Sequence, residues 1–511
     1  LAALAIGIAW GTRAAGGSDS YCYIEQAERW AAGTIRAPQG ALFDRAPWLD
    51  PWLPLAPTGF IPSPSVPGAI APICPAGLAL TMVPFRVALG RDGVHLVVPL
   101  LGAMTVWLTF LIGRTLAGPR SGALAASLTA ASPVFLYQVV QPMSDVPATA
   151  WWTLAAWLVI RGGTSAAVGA GLATGAAVLT RPNLVPLALV LLAAAWLRPR
   201  NGRDPAPAAA AVGFCLGALP GAVAVVLVQY VLYGSATSTG YGSPSLLFSA
   251  SHVWPNVVLY GRWALDTHTP ALLLAPLALI VKPPADAASP IYRWLAVVLL
   301  ALAVTVIACY LPYVPFDDWW YLRFLLPALP FATILVAAVV ASWTSRLSLL
   351  WSRTVLVAVG VALCGFFVTT AVRRHAFDLQ AQEHRFRLAG EHLGRVLPPG
   401  AVVLTIWHSG SVRYYGGRTT VLWDAIPPDA LDRTVDYLRE RGLTPFLLLE
   451  RWEEPSFRKR FGTRSPLAEL DWPPRVEYGR AIRVFALDDR ARYMAGERTL
   501  TEYVALRERN R

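Results

Sequence analysis

The feature that most constrains this chain is a succession of long apolar stretches with almost no charge. About 17–25 such residues make a membrane-crossing helix. They recur from the first residues to Val372, at roughly 94–113, 120–140, 147–160, 165–180, 183–197, 208–233, 269–281, 291–313, 323–343 and 350–371. With the segment Leu1–Trp10 these make about eleven expected spans. The expected fold class is a polytopic α-helical membrane protein. Composition agrees: 55% of the 511 residues are hydrophobic and 14% are charged, against about 25% charged in soluble domains.

Arginine placement sets the orientation. Arg114 with Arg120, Arg161, the Arg198–Arg200–Arg203 cluster, Lys282 with Arg293, and Arg346 with Arg353 fall in loops on one side, provided 76–90 does not cross. That side reads as cytoplasmic. The stretch 76–90 is short for a span and is followed by Arg91-Asp92, so it reads as re-entrant or interfacial. The net charge of +12 then serves topology and anionic lipid, and calls for no nucleic acid. The chain begins at Leu1, and its first segment lacks a cleavage site, so it reads as a span (part of it missing) rather than a signal peptide. The five cysteines show no CxxC spacing; Cys22 and Cys74 fall on one side and could pair.

The opposite face receives the polar, proline-rich loop 13–75, Gln141–Asp145, Thr180–Asn183, the 234–268 loop, Pro315–Tyr321 and everything after Arg373. Beyond residue 372 the pattern changes. A polar helical stretch, His375–Leu397, precedes strands at Ala401–Thr405, Thr419–Trp423, Pro445–Leu449 and Arg480–Ala486, with a helix at Pro428–Arg441. This alternation predicts a small α/β domain. The expected division is a transmembrane domain 1–372, with 13–75 as its first outer loop, and an extracytoplasmic domain 373–511.

Acids and aromatics concentrate on that outward face. Asp19 follows Gly16-Gly17-Ser18 at the exit of the first segment, where it would cap a helix or face a cavity. Asp145 stands at the outer end of a later span, where it would cap the helix starting at Val146-Pro147 or serve a site. Two carboxylates facing one cavity could split roles, one as base toward a hydroxyl and the other holding a metal or orienting a donor. Arg181 and Arg323 lie on the face where positive charge is disfavoured, as phosphate recognition requires. The alternatives are snorkelling to head groups, or pairing of Arg323 with Asp317 or Asp318. Tyr321 adjoins Arg323 and is grouped with it. Tyr241, His252, Trp254, Tyr260 and Trp263 suit sugar stacking or an interfacial belt. His408 and Arg413 read as structural. No P-loop, G-x-S-x-G or H-E-x-x-H motif occurs.

Five segments together carry a family resemblance. Gly17-Ser18-Asp19-Ser20-Tyr21 with its following helix, Pro75-Ala76-Gly77, Ser144-Asp145-Val146-Pro147, Leu179-Thr180-Arg181-Pro182 and Arg323-Phe324-Leu325-Leu326-Pro327 resemble, in order, segments of the GT-C glycosyltransferases. The likeness is to the bacterial family 39 branch, related to protein O-mannosyltransferases and lipid A aminoarabinose transferase. It implies a bacterial inner-membrane enzyme with a polyprenyl-phosphate-sugar donor, an outward site and an inverting displacement onto a lipid, glycan or protein hydroxyl. It further implies Asp19 as catalytic base, Asp145 as a donor or metal residue, and Arg181 and Arg323 on the lipid phosphate. A divalent metal ion at Asp19 and Asp145 is left open. Ser20 stands where the mannosyltransferases carry Glu, and Ile73-Cys74 where the aminoarabinose transferases carry Glu-Lys, so neither substrate is implied. The rival reading is a transporter or lipid flippase, though no internal repeat of the kind those proteins show is evident.

Overall fold

The structure is a computed structural model that describes residues 1–200, 205–283 and 289–506; Arg203, used above for orientation, lies outside the described residues. The chain divides into two units. One comprises Leu1–Gly11, Pro75–Gln229 and Tyr241–Leu379; the other comprises Thr12–Cys74, Tyr230–Gly240 and Gln380–Arg511.

The first unit is helical. Among the described residues, five helical stretches are long and apolar enough to cross a membrane: Arg91–Ala131, Pro207–Tyr233, Ile291–Tyr310, Trp319–Thr344 and Leu349–Arg373. Ala76–Leu89, Thr164–Thr180, Pro182–Leu197 and Pro270–Leu279 are shorter apolar helices. Several expected boundaries move, and backbone chemistry explains them. The first long stretch breaks at Ala117-Gly118, where Gly118 takes φ 86° ahead of Pro119, so two helices fold back on each other. Gly113 and Gly122 meet at the fold: a β-carbon on Gly113 would lie 2.9 Å from the Gly122 Cα. The expected span 120–140 ends at Ala131, because Ser132-Pro133 starts a separate helix, Pro133–Val139. The expected loop 234–268 contains the helix Val253–His268, in which Tyr260 and Trp263 are buried. The expected span 269–281 is a 3₁₀ helix, Pro270–Leu279, interrupted by Pro276. Helices Thr164–Thr180 and Pro207–Tyr233 cross through Gly171 and Gly175 against Gly217 and Gly221, a four-residue small-residue spacing that lets backbones touch.

The second unit is α/β. Of the stretch 13–75, expected as a loop of the membrane domain, all but Pro75 belongs to this unit, which takes Thr12–Cys74. Strands β1 (Ala37–Pro38), β2 (Phe60–Pro62) and β3 (Ala69–Pro72) form an antiparallel sheet in the order β1-β3-β2. Strands β4 (Ala401–Leu404), β5 (Thr419–Val421), β6 (Thr444–Glu450), β7 (Val476–Tyr478), β8 (Ile482–Ala486) and β9 (Glu502–Val504) form a mixed sheet in the order β5-β4-β6-β8-β7-β9. Alternation along its strands feeds two cores. Val402, Leu404, Leu447 and Leu449 face Leu431, Val435 and Leu438 of helix Leu431–Glu440, together with Phe43, Leu49 and Leu55. Val403, Phe446, Leu448 and Val484 face Ala389 and Leu393 of helix Leu379–Val396. Arg413 braces this unit, donating to Thr420 Oγ1, Gln39 Oε1 and the Leu55 carbonyl at 2.6–3.0 Å.

Helix Asp19–Ala31 starts on Ser18 as its N-cap residue, with no side-chain cap bond. Asp19 is therefore the first helical residue and not the cap expected from the sequence; it sits where a negative charge meets the positive end of the helix dipole. Cys22 of this helix is bonded to Cys74, with a Cα–Cα separation of 6.3 Å. The bridge closes a loop 52 residues apart in sequence, a constraint worth about 4 kcal/mol in chain entropy. Reduction, or the paired replacement Cys22→Ala/Cys74→Ala, is expected to lower stability by roughly 2–4 kcal/mol, read as a lower melting temperature of the purified protein. An identical melt with and without reductant would show that the two thiols are not joined.

Candidate active site

In the first unit, four of the five resembling segments converge. Gly77 packs onto Thr180 so closely that a β-carbon there would overlap the Thr180 backbone N and Oγ1. Thr180 ends its helix, and Arg181 follows as the C-cap residue with φ −145° and ψ 89°. That extended turn sends Arg181 to helix Asp145–Arg161, where its Nη2 lies 2.6 Å from Asp145 Oδ1. Its Nε donates to Ser144 Oγ at 3.2 Å and its Nη1 to the Tyr310 hydroxyl at 2.7 Å. Arg323 approaches the other side of the carboxylate, with Nη1 3.9 Å from Asp145 Oδ2 and 3.1 Å from Met143 Sδ. Asp145 is thus the first residue of its helix, without a cap bond, and its carboxylate faces two guanidinium groups. Its side chain is 1% exposed, against 10% for Arg181 and 12% for Arg323.

Aromatic rings wall this cluster. Arg181 lies over Tyr310 and Phe324, and Arg323 over Tyr321 and Phe324, at 5.3–5.9 Å. Tyr310 stacks on Phe324 at 5.1 Å, and Phe316 on Tyr321 at 4.1 Å. Stacked guanidinium faces leave their N–H edges for an in-plane anion. Sequence reasoning named Asp145, Arg181, Arg323 and Tyr321 but missed Tyr310, which ends a long apolar helix, and Phe324. The only signal for either was nearness to an outward-facing arginine loop.

Asp19 belongs to the second unit, where its turn is shaped by side chains the sequence reading passed over. A β-carbon on Gly16 would lie 2.5 Å from Glu383 Oε2 and from the Phe386 ring. Gly17 runs beside the Trp407 ring with φ 55°, a conformation that favours glycine. The Ala15 N–H donates to the Tyr415 hydroxyl at 2.8 Å. Next to this turn is a buried ionisable group: His408 Nε2 and Arg385 Nε both reach Glu450 Oε1, at 3.1 and 2.8 Å. His408 was expected to be structural, and it is fully buried against Phe386.

A family model described as dolichyl-phosphate-mannose-protein mannosyltransferase matches residues 78–221, a stretch lying wholly in the first unit and containing Asp145 and Arg181. A search of curated protein sequences returned no match. Among solved structures, the chain is similar to ArnT from Cupriavidus metallidurans bound to undecaprenyl phosphate, with a TM-score of 0.56 and 13% identity over 90% of this chain and 94% of that one. It is also similar to the oligosaccharyltransferase AglB from Archaeoglobus fulgidus, solved with an inhibitory peptide and a dolichol-phosphate, with a TM-score of 0.51 and 11% identity over 93% and 72% of the two chains. At these identities the likeness is one of fold: the chain shares the architecture of these two structures.

A divalent metal at Asp145 does not suit this carboxylate's surroundings. Two guanidinium groups already face that carboxylate, and a cation would meet their repulsion. Among the described residues, no group of three His, Cys, Asp or Glu side chains stands together as a ligand set.

The acids of the second unit give the protein a pH signature. Burial pushes Glu450 up, but the hydrogen bonds and charges of His408 and Arg385 outweigh it and hold its carboxyl at about 2. Glu453 is pushed up to about 7, chiefly by burial and further by the nearby Glu450 and Asp424 charges. Between the usual carboxylate range and about pH 7 the folded state therefore holds a proton at Glu453 that the unfolded state has released, so stability falls as pH rises through that window. Glu450 acts oppositely, and its contribution is lost only as pH falls from about 4.5 toward 2. Glu453→Gln keeps a neutral group of the same shape. Its melting temperature is expected to match wild type near pH 5 and to exceed it by several degrees at pH 8, as a shift of 2–3 pKa units, roughly 3 kcal/mol, requires. Parallel melting curves across that range would refute the assignment.

Proposed function

We propose that this chain is an integral membrane glycosyltransferase that moves a sugar from a polyprenyl-phosphate donor to a hydroxyl acceptor on the extracytoplasmic face, with inversion. The observation that carries this reading is the buried Arg181 and the partly buried Arg323, on either side of Asp145 and walled by aromatic rings. A dry site with two guanidinium forks suits the phosphate of a lipid carrier, and it stabilises the anion that develops as the glycosidic C–O bond breaks. Asp145 holds both arginines in place. Its Oδ2, buried and without a hydrogen bond among the described residues, offers an acceptor to a sugar hydroxyl of the donor. Tyr321, under Arg323 at 5.4 Å, keeps that guanidinium in plane.

Asp19 is the proposed general base. The acceptor oxygen gives its proton to the carboxylate as it attacks the anomeric carbon, and the electron pair of the broken bond leaves on the lipid phosphate. The Cys22–Cys74 bridge supports an extracytoplasmic second unit, because disulfides persist in oxidising compartments; a bacterial inner-membrane location follows from the same reading. Membrane lipids surround the helices, and the acceptor class is a lipid, glycan or protein. A flippase would need no base.

Two measurements test the proposal in purified protein supplied with a panel of polyprenyl-phosphate sugars. Arg181→Ala and Arg323→Ala should each weaken donor use by about 1.5–3 kcal/mol, the worth of a charged hydrogen bond. Unchanged donor affinity in both variants would mean that the arginines only serve the fold.

Asp19→Asn preserves shape and removes the base. Transfer should slow by at least about a hundredfold while donor lipid still binds. Full activity in that variant would remove Asp19 from the mechanism, and lipid transport without sugar transfer by the wild type would establish the flippase.

A further inference from the structure

The helix that presents Asp145 at its start carries a second basic cluster at its end. Helix Asp145–Arg161 is 17 residues long, so Arg161 stands roughly 24 Å from Asp145 along the axis at 1.5 Å per residue. That approaches the ~30 Å thickness of a bilayer's hydrocarbon core. Arg161, Arg114 and Arg198 line one cavity of about 340 Å³, drawn from three separate stretches of the first unit.

Its chemistry is one-sided. No carboxylate is among its described lining residues. The Arg161 guanidinium lies 5.5 Å over the Trp157 ring, which fixes its plane and leaves its N–H edge for a ligand. Arg198 closes the helix end, its Nε donating to the Ile160 carbonyl at 3.1 Å and its Nη2 to that of Arg161 at 3.3 Å. The Trp294 indole N–H, on a residue that also lines the cavity, is buried without a hydrogen-bond partner among the described residues. Leu111 and Ile291 supply an apolar rim.

We propose that this cavity binds the head group of an anionic glycerophospholipid, in the leaflet opposite the Asp145 cluster. Arg114 and Arg161 take the phosphodiester oxygens, Trp294 donates to a glycerol or ester oxygen, and the acyl chains leave along the apolar rim. Basic pockets between membrane helices bind such head groups. A bare phosphate would leave much of the volume empty and would have no use for Leu111 and Ile291. The site differs from the proposed donor site in place and in ligand, so its test reads lipid retention and not sugar transfer.

The probe is phosphatidylglycerol, compared with phosphatidylcholine, a polyprenyl phosphate and inorganic phosphate, by native mass spectrometry of the intact protein released from mixed-lipid nanodiscs. Wild type should retain phosphatidylglycerol over phosphatidylcholine. Arg114→Gln/Arg161→Gln, which leaves the helix-closing Arg198 in place, should lose that preference by roughly tenfold or more. Arg181→Gln/Arg323→Gln should keep it. Equal retention of the two phospholipids by wild type would overturn the proposal, as would displacement of phosphatidylglycerol by polyprenyl phosphate or by inorganic phosphate alone. Should the first variant melt early, Trp294→Phe provides a milder loss of one donor, and undiminished retention in it and in Arg114→Gln alone would equally overturn the assignment.

Discussion

A carboxylate among apolar helices is tolerable only when paired, and the contact of Asp145 with Arg181 meets that demand at 2.6 Å. Breaking such a pair from one side typically costs about 3–5 kcal/mol, because a buried charge is left behind. The pair fixes the end of helix Thr164–Thr180 against the start of helix Asp145–Arg161. Tyr310, Phe324 and Arg323 then pack around a point that cannot drift. The close crossings through Gly171, Gly175, Gly217 and Gly221, and the fit of Gly77 on Thr180, hold helix Thr164–Thr180 against helices Pro207–Tyr233 and Ala76–Leu89.

Much of the first unit was legible in sequence because the bilayer imposes a simple rule: long, apolar, uncharged. Where the rule failed, proline and glycine were responsible. Pro133 and Pro276 interrupt stretches that hydropathy joins, since a ring without an N–H removes a helix hydrogen bond whatever its neighbours' polarity. The helix Val253–His268 was hidden because its exposed Arg262 and Asp266 break the apolar run. Asp145, Arg181 and Arg323 stood out because their charges lie where charge is costly. Tyr310 and Phe324 did not, since an aromatic residue in an apolar helix carries no mark of what it faces.

The second unit was harder to read. Strands Ala401–Leu404 and Thr444–Glu450 are short and continuously buried, and their pattern showed at once. Strands Val476–Tyr478 and Glu502–Val504 have three residues each, too few for a period. The role of 12–74 was invisible for a different reason. Phe43, Leu49 and Leu55 sit among prolines with no periodicity, and their partners lie hundreds of residues away. Gly16 and Gly17 read as mere breakers, whereas the missing β-carbon of Gly16 admits Glu383 and Phe386, and Gly17 takes a left-handed φ of 55°.

That the second unit is assembled from three separated pieces has a consequence in time. Residues 12–74 leave the ribosome roughly 300 residues before Gln380 and the sheet they pack with. At ~5–20 residues per second this is a wait of some tens of seconds, during which Phe43, Leu49 and Leu55 have nothing to bury against in the mature core. The bridge between Cys22 and Cys74 spans only this early piece. It can therefore form first, narrowing the conformations of a nascent segment whose final neighbours do not yet exist.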